Sequence, residues 1–130
     1  MEDCIFCNLE ASRIEDENKL FLVIKDLYPV TEGHTLIIPK RHVPSFFELT
    51  DEEQSSFLEM LHLQKQKLAS MDETITGFNV GINDGEDAGQ TVMHCHIHLI
   101  PRRNGDMENP RGGVRGVIPA KQKYVKKENL

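Results

Sequence analysis

Residues Thr91–Arg103 read TVMHCHIHLIPRR, and in them His94, His96 and His98 hold three of the chain's six histidines at alternate positions. Read as a strand over Thr91–Pro101, the stretch sends alternate side chains to one face. The three histidines then share a face, and Cys95, Ile97 and Leu99 share the other, the core face. Same-face neighbours on a strand stand about 6.6 Å apart, so one metal can bridge an adjacent pair but not the outer two. A strand carrying all three points to more than one task. A solvated polar face is the bland alternative, and it suits a lone histidine better than three closed by Pro101.

Upstream, Lys19–Asp26 (KLFLVIKD) and His34–Pro39 (HTLIIP) are apolar and β-branched and read as strands. The loop YPVTEGH between them, with Pro29 and Gly33, is of hairpin length, which makes them antiparallel neighbours. Thr50 with Glu53 forms a T-x-x-E capping box, and Leu49 stands at the staple position. Phe57, Leu58, Leu61 and Leu68 then recur at helical spacing. Gly77–Asn83 (GFNVGIN) alternates as a further strand. Strands outnumber the one long helix, so the class is α+β with an antiparallel sheet. Beyond Arg102 the chain turns rich in Gly, Pro and charge, which divides it into a domain over 1–104 and a tail or covering loop over 105–130.

The 130 residues suffice for one core, and 38% apolar with 28% charged residues fits a globular chain. A net charge of -6 disfavours nucleic acid and anionic membrane as partners without excluding an anionic small ligand. No apolar run approaches a membrane span, and the acidic start MEDCIFCNLE lacks the features of a signal peptide, so a cytoplasmic location is expected. In that compartment Cys4 and Cys7, spaced C-x2-C, read as a metal pair before a disulfide; a redox pair is the alternative, without a βαβ context to favour it. The loop NDGEDAGQT carries Gly85 and Gly89, which permit close backbone approach to a ligand. Its Asn83, Gln90 and Thr91 supply neutral hydrogen-bonding groups suited to phosphate oxygens, although an ordinary turn would look the same.

These residues together resemble the histidine triad family, whose signature of three histidines alternating with apolar residues stands here as His94-Cys95-His96-Ile97-His98-Leu99-Ile100. The likeness runs through GHTLIIPKRH, GINDGEDAGQTVMH and PRRNGD, nearly the whole chain up to Asp106. Around AGQTVMHCHIHLIPRRNGD it looks most like the dinucleoside polyphosphate hydrolase branch, and the nucleoside phosphoramidase branch shares the core. It implies a sheet of about five antiparallel strands with one long helix and a short N-terminal helix.

The resemblance implies hydrolysis or transfer at a nucleotide α-phosphate through a covalent nucleotidyl-histidine. His96 matches the nucleophile, His98 the residue that helps bind the α-phosphate, and His34 the supporting histidine on the neighbouring strand. Gln90 and Thr91 match positions near the leaving group, Asn83 an amide that contacts phosphate, and Asp26 an acid reaching the ribose hydroxyls. Ile5, Phe6, Leu9, Ile24 and Leu27 fall where the family has apolar walls for the base. Some members carry a Cys2His2 zinc site, for which Cys4, Cys7, His42 and His94 are the candidates here, acting on stability more than on chemistry. No magnesium-binding carboxylate cluster accompanies the histidines, so no catalytic divalent metal is expected. A homodimer that covers a sheet edge is implied as well. Two other classes stay open: a hydrolase with catalytic zinc on His94 and His96, and a zinc-stabilised nucleotide-binding module without turnover.

Overall fold

The computed structural model describes residues 2–125 and 127. Five strands form one antiparallel sheet: β1 Ile14–Glu17, β2 Phe21–Lys25, β3 Thr35–Pro39, β4 Ile75–Ile82 and β5 Ile97–Arg103, in the order β1-β2-β3-β5-β4. Among the described residues one α-helix, α1 (Asp51–Met71), packs on one face. The expected short N-terminal helix is a 3-10 turn, Ala11–Arg13. Among the described residues no helix is long and apolar enough to cross a membrane.

The central strand β3 is buried at every position, because both faces of the sheet are covered there. Val23 and Ile37 pack with Phe57 and Met60 of α1 on one face. Ile24, Leu36 and Ile38 pack on the other against Phe6 from the N-terminal segment. The capping box is present: Thr50 Oγ1 accepts from Glu53 N–H and the Glu53 carboxylate accepts from Thr50 N–H. The staple is not, since Gln54 occupies its far end and donates to the Leu49 carbonyl, while Leu49 packs into the core.

Two expectations shift. The buried stripe of α1 runs Glu53, Phe57, Met60, Gln64, Leu68, and Leu58 is 52% exposed. The polar members of the stripe are paired, Glu53 to Arg41 at 2.8 Å and Gln64 to Asp16 at 2.8 Å. Asp16 belongs to β1, an acidic strand with no apolar signal, tied to α1 by Gln64 and Lys67. The final strand also begins at Ile97 rather than at Thr91. Its partner β3 ends at Pro39, which has no N–H with which to extend a ladder. Thr91–His96 is therefore an irregular lead-in, held by Cys95 N–H donating to Val43 O at 2.7 Å. Beyond β5 the chain forms two 3-10 turns, Gly113–Val117 and Pro119–Lys121, the first against β4.

Candidate active site and metal centre

On the sheet face away from α1, a cleft of about 400 Å³ is lined by His34, His96 and His98 together with Asp26, Asn83 and Thr91. Its apolar wall includes Ile5, Phe6, Ile24 and Leu27. Leu9 does not line it and packs instead beside Phe6, Ile24, Leu36 and Ile38. Gln90 is buried and turned away: its Oε1 accepts from Gly85 N–H, and its Nε2 donates to the carbonyls of Pro44 and Val92. It pins the loop whose tight turns Gly85 and Gly89 make at φ 95° and 94°.

Backbone partners assign each ring's tautomer. His96 Nδ1 lies 2.8 Å from the His94 carbonyl, so it carries the proton, and the Nε2 lone pair stays free. Val30 N–H donates to His34 Nδ1 at 3.2 Å, which places the His34 proton on Nε2. That N–H stands 2.9 Å from His98 Nδ1, an acceptor, so His98 carries its proton on Nε2. The result is a directed chain from Val30 through His34 to His98. Asp26 flanks it, with Oδ1 accepting from Tyr28 N–H and Oδ2 3.4 Å from His34 Nε2 and 4.0 Å from His98 Nδ1. Burial, then the neighbouring His96 and His34, lowers His98 to about 4 against the opposing pull of Asp26. Burial also lowers His34, again opposed by Asp26. Both rings are therefore neutral at neutral pH.

His94 belongs elsewhere. Its Nε2–H donates to the Pro39 carbonyl at 2.7 Å, leaving Nδ1 to face Cys4 Sγ at 3.3 Å, Cys7 Sγ at 3.5 Å and His42 Nδ1 at 3.2 Å. The four donor atoms lie within 4.8 Å of one another. Tetrahedral zinc with thiolate and imidazole ligands sets its donors roughly 3.3–3.8 Å apart, so the set fits zinc. Asp26, His34 and His98 also converge within that span. A proton occupies the space between those two rings, and Val30 opposes moving it to the other nitrogen.

The groups that fix this chemistry and escaped the sequence are backbone ones: Val30 N–H and the carbonyls of Pro39 and His94. No side-chain pattern announces them. Leu36 and Val92 line the cleft unforeseen as well; for Leu36 the period-two spacing from His34, which directly precedes β3, is a usable signal. Arg115 is engaged within the tail, its guanidinium over the Tyr124 ring and its Nε–H donating to Lys121 O.

Residues 10–105 match the HIT domain family. The chain belongs to the histidine triad family. A bis(5'-adenosyl)-triphosphatase of Dictyostelium discoideum is 40% identical over 104 residues, covering 78% of this chain and 67% of that one. A nitrilase and fragile histidine triad fusion protein of Caenorhabditis elegans is also 40% identical over 99 residues, covering 76% of this chain and 22% of that one. Among solved structures, a HIT family protein from Bacillus anthracis superposes with TM-score 0.74 at 37% identity, covering 81% of this chain and 77% of that one. A zinc-bound histidine triad protein from Mycobacterium smegmatis does so with TM-score 0.66 at 37% identity, covering 83% and 81%.

Proposed function

We propose that the protein is a nucleotide hydrolase or nucleotidyl transferase acting at the α-phosphate of a dinucleoside polyphosphate or a nucleoside phosphoramidate. The observation that carries the reading is His96, an imidazole whose Nδ1–H is held by the His94 carbonyl and whose Nε2 belongs to the cleft. Such a nitrogen is a nucleophile. Attack forms a bond from Nε2 to phosphorus as the bond to the leaving group breaks; water then displaces His96 and releases the nucleotide. His98 Nε2–H, set by the chain from Val30, is a donor for a phosphate oxygen as charge builds on it. Thr91 and Asn83 lie beside the phosphates, Asp26 is within reach of ribose hydroxyls, and Ile5, Phe6, Ile24 and Leu27 take the base. The triphosphatase relative, a hydrolase of two joined nucleotides, supports the class of substrate.

In this reading Cys4, Cys7, His42 and His94 hold a structural zinc, which supplies a closed cross-link and no chemistry. A reducing cytoplasm keeps the thiols available to it. A catalytic zinc shared by His94 and His96 is disfavoured, because His94 Nδ1 faces the thiols while His96 Nδ1 is held by a carbonyl. The chain acts as a homodimer: β4 is an edge strand with Val80 45% exposed, and α1 leaves Leu58 and Leu63 52% and 41% exposed. Light scattering at micromolar protein should return twice the mass of one chain; a monomer mass counts against it. In this reading 1–104 is the catalytic domain and 105–130 its tail or covering loop, of which 126 and 128–130 lie outside the described residues.

The decisive experiment is rapid-quench single turnover with an α-phosphate-labelled nucleotide conjugate. Label should appear on the wild-type protein and not on His96→Asn. Turnover without labelled protein points to direct attack by water, and binding without turnover points to a module that only holds nucleotides.

A further inference from the structure

The HIT domain match begins at residue 10, so Cys4 and Cys7 lie outside it. Between them stand Ile5 and Phe6, and both line the nucleotide cleft. The Phe6 ring packs edge-on to His94 at 5.9 Å and to His96 at 5.0 Å between centroids. The fourth donor, His94, is fully buried and presents three groups to three partners. Its Nδ1 faces the thiols, its Nε2–H holds Pro39 O, and its carbonyl takes the His96 proton. One cluster of donors thus touches the cleft twice, through the peptide between its thiols and through the backbone of its most buried member.

We infer that the Cys4–Cys7 loop is a positioning element of the active site, through which metal occupancy fixes both the base wall at Ile5 and Phe6 and the tautomer of His96. The physical route is short. A cation on His94 Nδ1 keeps the proton of that ring on Nε2, where Pro39 O receives it. With both ring nitrogens engaged, the His94 backbone has one orientation, and its carbonyl stays 2.8 Å from His96 Nδ1. Without the cation, four polar donors crowd within 4.8 Å. Their lone pairs repel, or a proton must enter the cluster, and the loop that carries Ile5 and Phe6 loses its anchor. Cys4, Cys7 and His42 thereby act on the chemistry through His94, beyond the stability that a structural metal confers.

The inference rests on the nucleotidyl-histidine reading for its kinetic readout, but its direct readout does not. In protein labelled with 15N-histidine, the ring nitrogens of His96 report which one carries the proton. Zinc-loaded wild type should show Nδ1–H. Wild type stripped with a chelator, the Cys4→Ser/Cys7→Ser double variant and His42→Asn should each show a mixture of tautomers. All three should bind adenosine monophosphate more weakly, and kcat should fall about 10- to 100-fold, as for other groups that orient a reacting side chain. Zinc returned to stripped wild type should restore every signal. As a control, Met60→Ala weakens the α1 core and should leave the His96 tautomer and kcat per folded molecule unchanged. A folded, metal-free protein that keeps the Nδ1–H signature and full kcat overturns the inference. So does global unfolding on metal removal, which reduces the site to holding the fold. If wild type turns over no nucleotide conjugate, the functional reading fails, while the NMR signature still decides the coupling.

Discussion

Around His94, four donor atoms converge within 4.8 Å: Sγ of Cys4 and Cys7, and Nδ1 of His42 and His94. Around His98, three groups of similar chemistry converge, but a proton lies between His34 Nε2 and His98 Nδ1. The difference is set by main-chain partners and not by residue type. A carbonyl, Pro39 O, draws the His94 proton outward and leaves a lone pair facing in. An amide, Val30 N–H, occupies the outer nitrogen of His34 and sends its proton in. The first arrangement suits a metal and the second is a proton-ordered donor chain. His96 lies between them with its proton on a carbonyl and its lone pair unclaimed. A backbone group on the far nitrogen therefore decides what a clustered histidine can do.

The largest effect should come from removing the unclaimed lone pair. His96→Asn keeps a polar side chain and loses the nitrogen proposed to attack phosphorus. Turnover should fall by roughly 10⁴-fold or more, with nucleotide affinity little changed, since the loss is confined to the rate. Steady-state kinetics paired with a binding isotherm separates the two quantities. A variant losing affinity instead would mean that His96 holds the phosphate and is not the attacking group.

Next comes pH, which should act on the donor chain through proton linkage. Burial lowers His98 to about 4 in the folded protein, against about 6.5 for an unperturbed histidine. Between those values the unfolded chain binds the proton and the folded chain does not. Stability from this group is thus complete above about pH 6.5, is lost as pH falls toward 4, and changes no further below that. The full difference corresponds to roughly 3 kcal/mol, with His34 shifted in the same direction. Denaturant midpoints across that range should drop in wild type and drop less in His98→Asn. Equal slopes in the two proteins would show that the chain is not held neutral.

Which parts of this were legible in the sequence follows from where the deciding groups sit. His94, His96 and His98 stood out because period-two spacing is a side-chain pattern, and β2, β3 and α1 because apolar runs and a capping box are too. The strand β1 was hidden, since IEDE earns its place through Asp16 reaching Lys67 and Gln64 across the molecule. Gln90 looked like a ligand-facing amide because its type suits one; its burial and three backbone bonds are tertiary facts. The alternation from Thr91 looks like a ladder, but the ladder partner β3 ends at Pro39, so β5 starts only at Ile97. The division of histidine labour depends on Val30, Pro39 and the His94 carbonyl, which act through backbone atoms common to every residue type.

The smallest effect tests the boundary of the metal cluster. Cys95 sits between a metal candidate and the proposed nucleophile, yet it points to the α1 side, 1% exposed among Phe21, Val43 and Ile97. Burial first, then the charges of Asp84 and Glu53, pushes its thiol up to about 12. It remains a neutral, small apolar group at any physiological pH and cannot serve as a thiolate ligand. Cys95→Val replaces it with a side chain of similar volume and no need for a partner. Stability should change by less than about 1.5 kcal/mol, as for other volume-conserving core exchanges. Metal content and the protection of His94 should stay at wild-type values, whereas Cys4→Ser or Cys7→Ser removes a donor from the cluster. Zinc stoichiometry by elemental analysis, alongside a denaturant midpoint, reads both quantities on one sample. Loss of metal from Cys95→Val would place a third thiol in the cluster. The backbone about His94 would then have to turn over, and with it the carbonyl that holds His96.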